Sequence, residues 1–369
     1  MKSKVLLVGP INDQGLGGRF EEMRVWARFL EQEQFEVSVF SMFNSRFGLE
    51  NAIMVESVHL VFPTLWSWFP RLRNLVLRVW SSRFFRNQRN DFYNSEKWYA
   101  FAHSFNHLVL FITHQSKEIK IFESSLPVPV SIRFTGTVHD FSALKIHHKK
   151  LSSVARNYII HAPGLFHGFE NSIPKVFIDQ TTLAEKSLLD LKIDSNLKIF
   201  AMIGLFMEVK QMEQVITVFA NLPNLNLIIF GTGALQTSYQ AKIDALGLSN
   251  VKIAGFIAPD QISQLYTQID ALIINSAEET GPMTGIEAMA SGKLIFSRPV
   301  GAMRERLSDP EMIFDNTEDL TEKIRRFSIL PPERIIEYKT TLRKRYLENY
   351  SNLEVKKQIK NMLEEVSDT

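Results

Sequence analysis

Short apolar runs alternate with amphipathic stretches along the chain. The first run is Val5-Leu6-Leu7-Val8; a glycine-rich loop, Gly15-Leu16-Gly17-Gly18, follows it, and then Phe20, Met23, Trp26, Ala27 and Leu30 fall on one face at helical spacing. Val37-Ser38-Val39-Phe40 reads as the next strand. Further runs at Leu108–Ile112, Val128–Phe134 and Tyr158–Ile160 show little alternation, as suits strands of a parallel sheet buried on both faces.

A polar stretch, Thr181 to Asn196, is predicted to be a helical join. The same order then restarts with Lys198–Ile203, a helix through Val215, Val218 and Phe219, and strands at Leu225–Phe230, Val251–Ala254, Ala271–Ile274 and Leu294–Phe296. Strands alternating with helices in both halves predict an α/β protein of two Rossmann-like, doubly wound domains, at 1–180 and 181–345. Ser351-Asn352-Leu353-Glu354 is a capping box opening a last helix in 346–369, with Ile359, Met362, Leu363 and Val366 at helical spacing. That helix is expected to pack back toward the first domain.

Composition narrows the classes. A length of 369 residues and 45% hydrophobic content suit two sizeable cores. Forty-two basic against 40 acidic residues leave +2, without the excess of a dedicated nucleic-acid binder. With no cysteine there is no disulfide, thiolate metal site or cysteine nucleophile. The opening apolar run stops at Pro10, too short for a secretory leader, and the richest apolar stretch, Leu60–Trp80, is broken by prolines and arginines. The expectation is a soluble or peripheral protein of the cytoplasm.

Two segments suggest chemistry. Glycines 15 to 18, ahead of a helix, could admit a phosphate, although the second strand ends Val39-Phe40-Ser41 and lacks the acidic residue of a dinucleotide fingerprint. More informative is the run from Asn275 to Ser297: strand, glycine and proline loop, helix, strand. Seven residues separate Glu279 from Glu287, so one carboxylate can stand in the loop and the other in the helix's opening turns, both at the carboxyl ends of the strands where such sheets bind ligands. Carboxylates accept from sugar hydroxyls, and loop N–H groups can meet a phosphate.

Glu279, Glu287, Ala288-Met289-Ala290-Ser291-Gly292, Gly301 and Glu305, with Gly231-Thr232-Gly233, Gly255-Phe256 and Lys210, resemble the retaining nucleotide-sugar glycosyltransferases of family 4, which have the GT-B architecture of two Rossmann-like domains facing a cleft. The resemblance covers residues 198 to 306. It implies a nucleotide diphosphate sugar donor, with UDP the expected nucleotide, a glycan acceptor, and no metal or other cofactor. Glu279 would hold the hydroxyls of the transferred sugar, Glu287 the ribose, Lys210 the diphosphate; Gly281, Pro282, Met283 and Thr284 would offer backbone groups to sugar and phosphate. Phe256 and Ile257 would flank the base, Gly231 would lie beside the donor, and Gly17 and Gly18 would close over the phosphates from the first domain.

Two departures accompany the resemblance. Leu205 stands where the family has an arginine, with Arg19 a candidate replacement; and the family's histidine at a strand end in the first domain corresponds to Thr135 or His139, of which His139 is named as the catalytic candidate. His147, His148, His161 and His167 read as solvated loop residues rather than metal ligands. Two competing readings are a non-catalytic binding protein that keeps the fold, for which Leu205 is the hint, and a nicotinamide-dependent enzyme.

The stretch from His59 to Leu110 carries one further expectation. Trp66, Trp68, Phe69, Trp80, Phe84 and Phe85 are interleaved with Arg71, Arg73, Arg78, Arg83, Arg86 and Arg89, with no acidic residue from Pro70 to Asn90. An ordinary amphipathic helix would give this pattern, and so would a surface lying on anionic lipid, where each basic residue contributes on the order of 1 kcal/mol. The second reading, joined to the resemblance, predicts a lipid-linked glycan acceptor at the cytoplasmic face of a membrane, and no nucleic-acid partner. Changing Arg78, Arg83 and Arg86 to glutamate is expected to release the protein from anionic liposomes in a sedimentation assay; equal binding by variant and wild type at low salt excludes the membrane surface.

Overall fold

A computed structural model describes residues 3–9, 18–41, 53–56, 96–112, 128–135, 155–166 and 173–367. The chain divides into two units, Met1–Ile178 together with Lys356–Thr369, and Asp179–Val355.

In the first unit β1 (Lys4–Gly9), α1 (Gly18–Gln32), β2 (Glu36–Ser41), β3 (Ile53–Glu56), α2 (Glu96–Ala102), β4 (His107–Ile112), β5 (Val130–Phe134), β6 (Ala155–Ile160) and β7 (Lys175–Phe177) follow in order. The strands form a parallel sheet in the order β3-β2-β1-β4-β5-β6-β7. Its centre is covered on both faces: every residue of β4 and β5 is buried. Trp26 of α1 meets Phe111 edge to face at 5.6 Å, and Trp98 of α2 packs on Phe40 at 5.1 Å.

The second unit repeats the scheme with α3 (Glu185–Leu189), β8 (Ile199–Ile203), α4 (Met212–Ala220), β9 (Asn226–Phe230), α5 (Gln236–Ala245), β10 (Val251–Gly255), α6 (Ile262–Thr267), β11 (Ala271–Ile274), α7 (Met283–Ala290), β12 (Leu294–Ser297), α8 (Met303–Leu307), α9 (Thr317–Ser328) and α10 (Pro332–Asn349). Its parallel sheet runs β10-β9-β8-β11-β12. The last helix, α11 (Asn352–Ser367), groups with the first unit from Lys356 onward. Ser351 caps it, its hydroxyl accepting from the Glu354 amide at 3.4 Å, and Ile359, Met362 and Leu363 are buried. Among the described residues, no helix is long and apolar enough to cross a membrane.

One sequence expectation is corrected in the first unit: His161 is not solvated but buried, one residue past β6. The fully buried Arg133 of β5 donates to it, Nη2 to Nδ1, at 2.8 Å. Because a guanidinium only donates, Nδ1 is the accepting nitrogen. Arg133 also donates from Nε to Glu22 of α1 at 2.6 Å and from Nη1 to the Ile178 carbonyl at 2.6 Å. The expected helical join at 181–196 shortens to α3 alone, since Arg343 and Lys339 of α10 take the Leu191 and Asn196 carbonyls at 2.7 and 2.8 Å.

A second buried histidine, His107, opens β4. Its Nε2 meets Ser131 Oγ at 2.9 Å, Ser131 donates to the Met362 sulfur at 3.5 Å, and Nδ1 has no partner. Burial lowers its pKa from 6.5 to about 4. Between those values the unfolded chain binds a proton that the folded chain excludes, so stability falls as pH falls through the window. On lowering pH from 7 to 5 the wild type should lose about 2 kcal/mol of urea-unfolding stability that a His107→Gln variant keeps; parallel pH profiles of the two proteins exclude this.

Candidate functional site

In the second sheet β8 and β11 are neighbours, but the chain continues from β8 to β9 on one side and from β11 to β12 on the other. Loops leaving the carboxyl ends of such a pair diverge and open a crevice between them. The loop after β8 carries Lys210 at the end of a short 3-10 turn, Glu208–Lys210, and the loop after β11 carries Glu279. The two side chains form an ion pair between Lys210 Nζ and Glu279 Oε1, each only partly exposed. Ser276 donates its hydroxyl to the same carboxylate oxygen at 2.7 Å.

The backbone under Lys210 is held firmly. Gln211 adopts a left-handed conformation, φ 48°, unfavourable for a residue with a Cβ. Its carbonyl accepts from Asn275 Nδ2 at 3.0 Å and its side-chain oxygen from Arg298 Nη1 at 3.0 Å, while the Ala277 amide donates to the Val209 carbonyl at 2.8 Å. Both charged loops are thus tied to each other by backbone and amide bonds.

Glu287 stands in the first turns of α7. Tyr266, buried in α6, directs its hydroxyl to the Thr284 carbonyl at 2.9 Å and to Glu287 Oε2 at 3.3 Å. Burial, and then the charge of Glu287, push the Tyr266 phenol well above its ordinary pKa, so it remains a donor. Pro282 precedes α7 and supplies no side-chain cap. The amides of Met283 and Thr284 are left for an anion or solvent, at the end where the helix dipole favours negative charge.

Three loop backbones pack edge to edge beside this crevice. The Gly204 amide donates to Phe230 O at 3.0 Å, Phe206 to Thr232 O at 2.9 Å and Gly231 to Gly255 O at 2.8 Å. Gly231 has φ 140°, and a Cβ there would lie 1.8 Å from the Gly204 carbonyl oxygen. Leu205, Met207 and Phe256 project from these loops with about half their surface exposed, and Ile257 is partly covered.

The second unit therefore brings Lys210 and Glu279 together, and sets Glu287 and the Gly281–Thr284 segment on the same loop and helix. In the first unit Gly18 and Arg19 open α1, and Thr135 donates its hydroxyl to the Ile112 carbonyl at 2.9 Å. Gly17, His139, Trp66, Trp68, Arg71, Arg73, Arg78, Arg83 and Arg86 lie outside the described residues. Sequence reasoning missed Ser276, Tyr266, Gln211, Asn275 and Arg298. Asn275 and Ser276 lie within the run that drew attention to Glu279; Tyr266 reads as one more apolar residue of a helix.

Residues 185–342 match the family of glycosyl transferases, group 1. Three solved structures are similar in fold over nearly all of the chain. A mutant of S. aureus TarM, in complex with fondaparinux, alpha-GlcNAc-glycerol and UDP, has a TM-score of 0.73 at 9% identity, over 98% of this chain and 99% of that one. Sucrose-phosphate synthase from Thermosynechococcus elongatus has a TM-score of 0.71 at 14% identity, over 99% of each chain. The lipopolysaccharide outer core galactosyltransferase WaaB has 0.67 at 15%, over 98% of this chain and 99% of that one. No curated protein matches in sequence. The family match lies within the second unit, and the fold is that of the GT-B glycosyltransferases.

The packing of Gly231 yields a test of the loop platform. Gly231→Ala should destabilise the protein by more than about 3 kcal/mol, since both the conformation and the space are refused. Gly247→Ala, with φ 61° and nothing within 4 Å, should cost about 1 kcal/mol. Similar melting temperatures for the two variants exclude the packing role.

Proposed function

We propose that the chain transfers a sugar, with retention and without a metal, from a nucleotide diphosphate sugar to a glycan acceptor, with UDP the expected nucleotide. The observation that carries this reading is the Lys210–Glu279 ion pair, delivered by the two strands that flank the crevice. A sugar needs an acceptor for its hydroxyls and a leaving diphosphate needs a cation, and the pair supplies both a few ångströms apart. UDP bound to TarM supports the choice of nucleotide, at the level of a shared fold.

In this reaction the bond from the anomeric carbon to the phosphate oxygen breaks. The acceptor hydroxyl oxygen bonds to that carbon on the same face, and its proton passes to the departing phosphate. The protein's part is placement and charge. Glu279 accepts from the sugar's hydroxyls, Lys210 and the first amides of α7 face the charge that grows on the diphosphate, and Glu287, steadied by Tyr266, receives the ribose. Lys210 is bonded to Glu279; sugar hydroxyls that take over Glu279 leave Lys210 to the phosphate. The acceptor is read as lipid-linked, reached at the cytoplasmic face of a membrane in surface-polysaccharide or lipopolysaccharide assembly. The arginine and tryptophan stretch of the sequence supports that reading, as does likeness to WaaB.

The test begins with thermal shifts against UDP, GDP, ADP and NAD, where a ligand at 100 times its dissociation constant stabilises by about 2.7 kcal/mol. Glu279→Ala should keep nucleotide binding and lose transfer by more than tenfold, about 1.4 kcal/mol of transition-state stabilisation. Glu287→Ala should weaken binding itself. Stabilisation by NAD alone, or undiminished turnover in Glu279→Ala, overturns the assignment.

A further inference from the structure

Beneath the loop that leads into α7 lies a buried ion pair that the proposed chemistry does not use. Arg306 of α8 is fully buried, and all three of its nitrogens are engaged. Nε and Nη2 donate to the two carboxylate oxygens of Asp179, at 2.8 and 2.7 Å, and Nη1 donates to the Pro282 carbonyl at 2.7 Å. Asp179 is the first residue of the second unit, and its Oδ1 also accepts from the Gln180 amide at 2.7 Å. Arg306 is fixed from behind as well, since Arg345 of α10 donates from Nε to its carbonyl at 2.7 Å and from Nη2 to that of Glu305 at 2.5 Å. The guanidinium lies against the first turn of α7: a Cβ on Gly285 would meet Met303 Sδ at 2.7 Å and Arg306 Nη1 at 3.5 Å.

We propose that Asp179 and Arg306 are a positioning pair for the donor loop, fixing the Pro282 carbonyl and through it the amino end of α7. The inference rests on the reading of Gly281–Thr284 as the segment that faces the donor. Stability alone is a poor reason for the pair, because two buried charges gain little over apolar residues of the same volume. What apolar residues cannot do is hold a carbonyl at a fixed point. The planar fork does so in one rigid group, with two prongs on Asp179 and the third on Pro282, and a lysine ammonium has no equivalent geometry. The Pro282 carbonyl also accepts from the Gly285 amide at 3.0 Å, so loss of the arginine leaves it satisfied but untethered. The consequence is a loop that drifts rather than a protein that unfolds.

The experiment is the double variant Asp179→Asn/Arg306→Met, which removes both charges together and keeps an acceptor for Gln180. Its urea-unfolding midpoint should stay close to that of the wild type. Amide hydrogen exchange of residues 281–287 in the ligand-free protein should quicken at least tenfold, with α4 exchanging as before, and the dissociation constant for UDP should rise at least tenfold. Exchange of 281–287 at the wild-type rate in the folded variant overturns the proposal. Should wild-type protein fail to bind UDP while the variant's loop still loosens, the positioning pair stands and the donor assignment falls. If the double variant does not fold, Arg306→Lys serves, since it keeps the charge beside Asp179 and gives up the bond to Pro282; wild-type exchange at 281–287 in that protein is equally decisive against the pair.

Discussion

The site depends on a constraint that parallel sheets impose on their connections. β8 and β11 pair over only two residue positions, Phe200 with Ala271 and Ala201 with Leu272, and beyond them each chain must turn away from the other to reach its next strand. The polar ends of the two loops are left facing one another, and their backbone groups must find partners without a strand ladder. They find them in each other, Ala277 on Val209 and Asn275 on Gln211, and in the segment after β12, where the Ala302 amide meets the Thr280 carbonyl. A lysine and a glutamate 69 residues apart in sequence meet because the apolar strands beneath leave the loops nowhere else to start.

This explains which parts of the molecule were legible in the sequence. Strands buried on both faces announce themselves as apolar runs, and those of β1, β2, β4, β8, β9, β11 and β12 were readable for that reason. β3 and β7 were not: Lys175–Phe177 is three residues long with none of them buried, so burial imposes no pattern on it. The acidic pair of the site was legible because spacing along a loop and a helix is local information. The groups that support it were not, because they belong to other elements and meet it only after folding. Tyr266 reaches Glu287 from α6, and Arg298 reaches Gln211 from the loop after β12.

His161 shows the same limit in the first unit. Just past an apolar run and ahead of Ala162-Pro163-Gly164, it reads as a loop residue. Register decides otherwise: Arg133 pairs with Ile159 across β5 and β6, and two residues on from Ile159 the side chain returns to the face on which Arg133 lies. A one-residue shift between those strands would turn His161 to the opposite face, and no local feature of the sequence records that register.

Each unit thus buries one arginine next to the junction between residues 178 and 179. Arg133 holds the Ile178 carbonyl together with Glu22 of α1, and Arg306 holds the Asp179 carboxylate together with the loop that opens α7. In both cases the same side chain reaches an end of the junction and the first turns of the helix that follows a glycine-containing loop. An arginine suits this use because its five donors lie in one plane, so a single buried group can satisfy three partners on different elements. Hydrophobic packing tolerates small slips along a face, whereas a fork with every prong occupied does not. In each unit such a fork stands where the first turns of a helix have to stay in place.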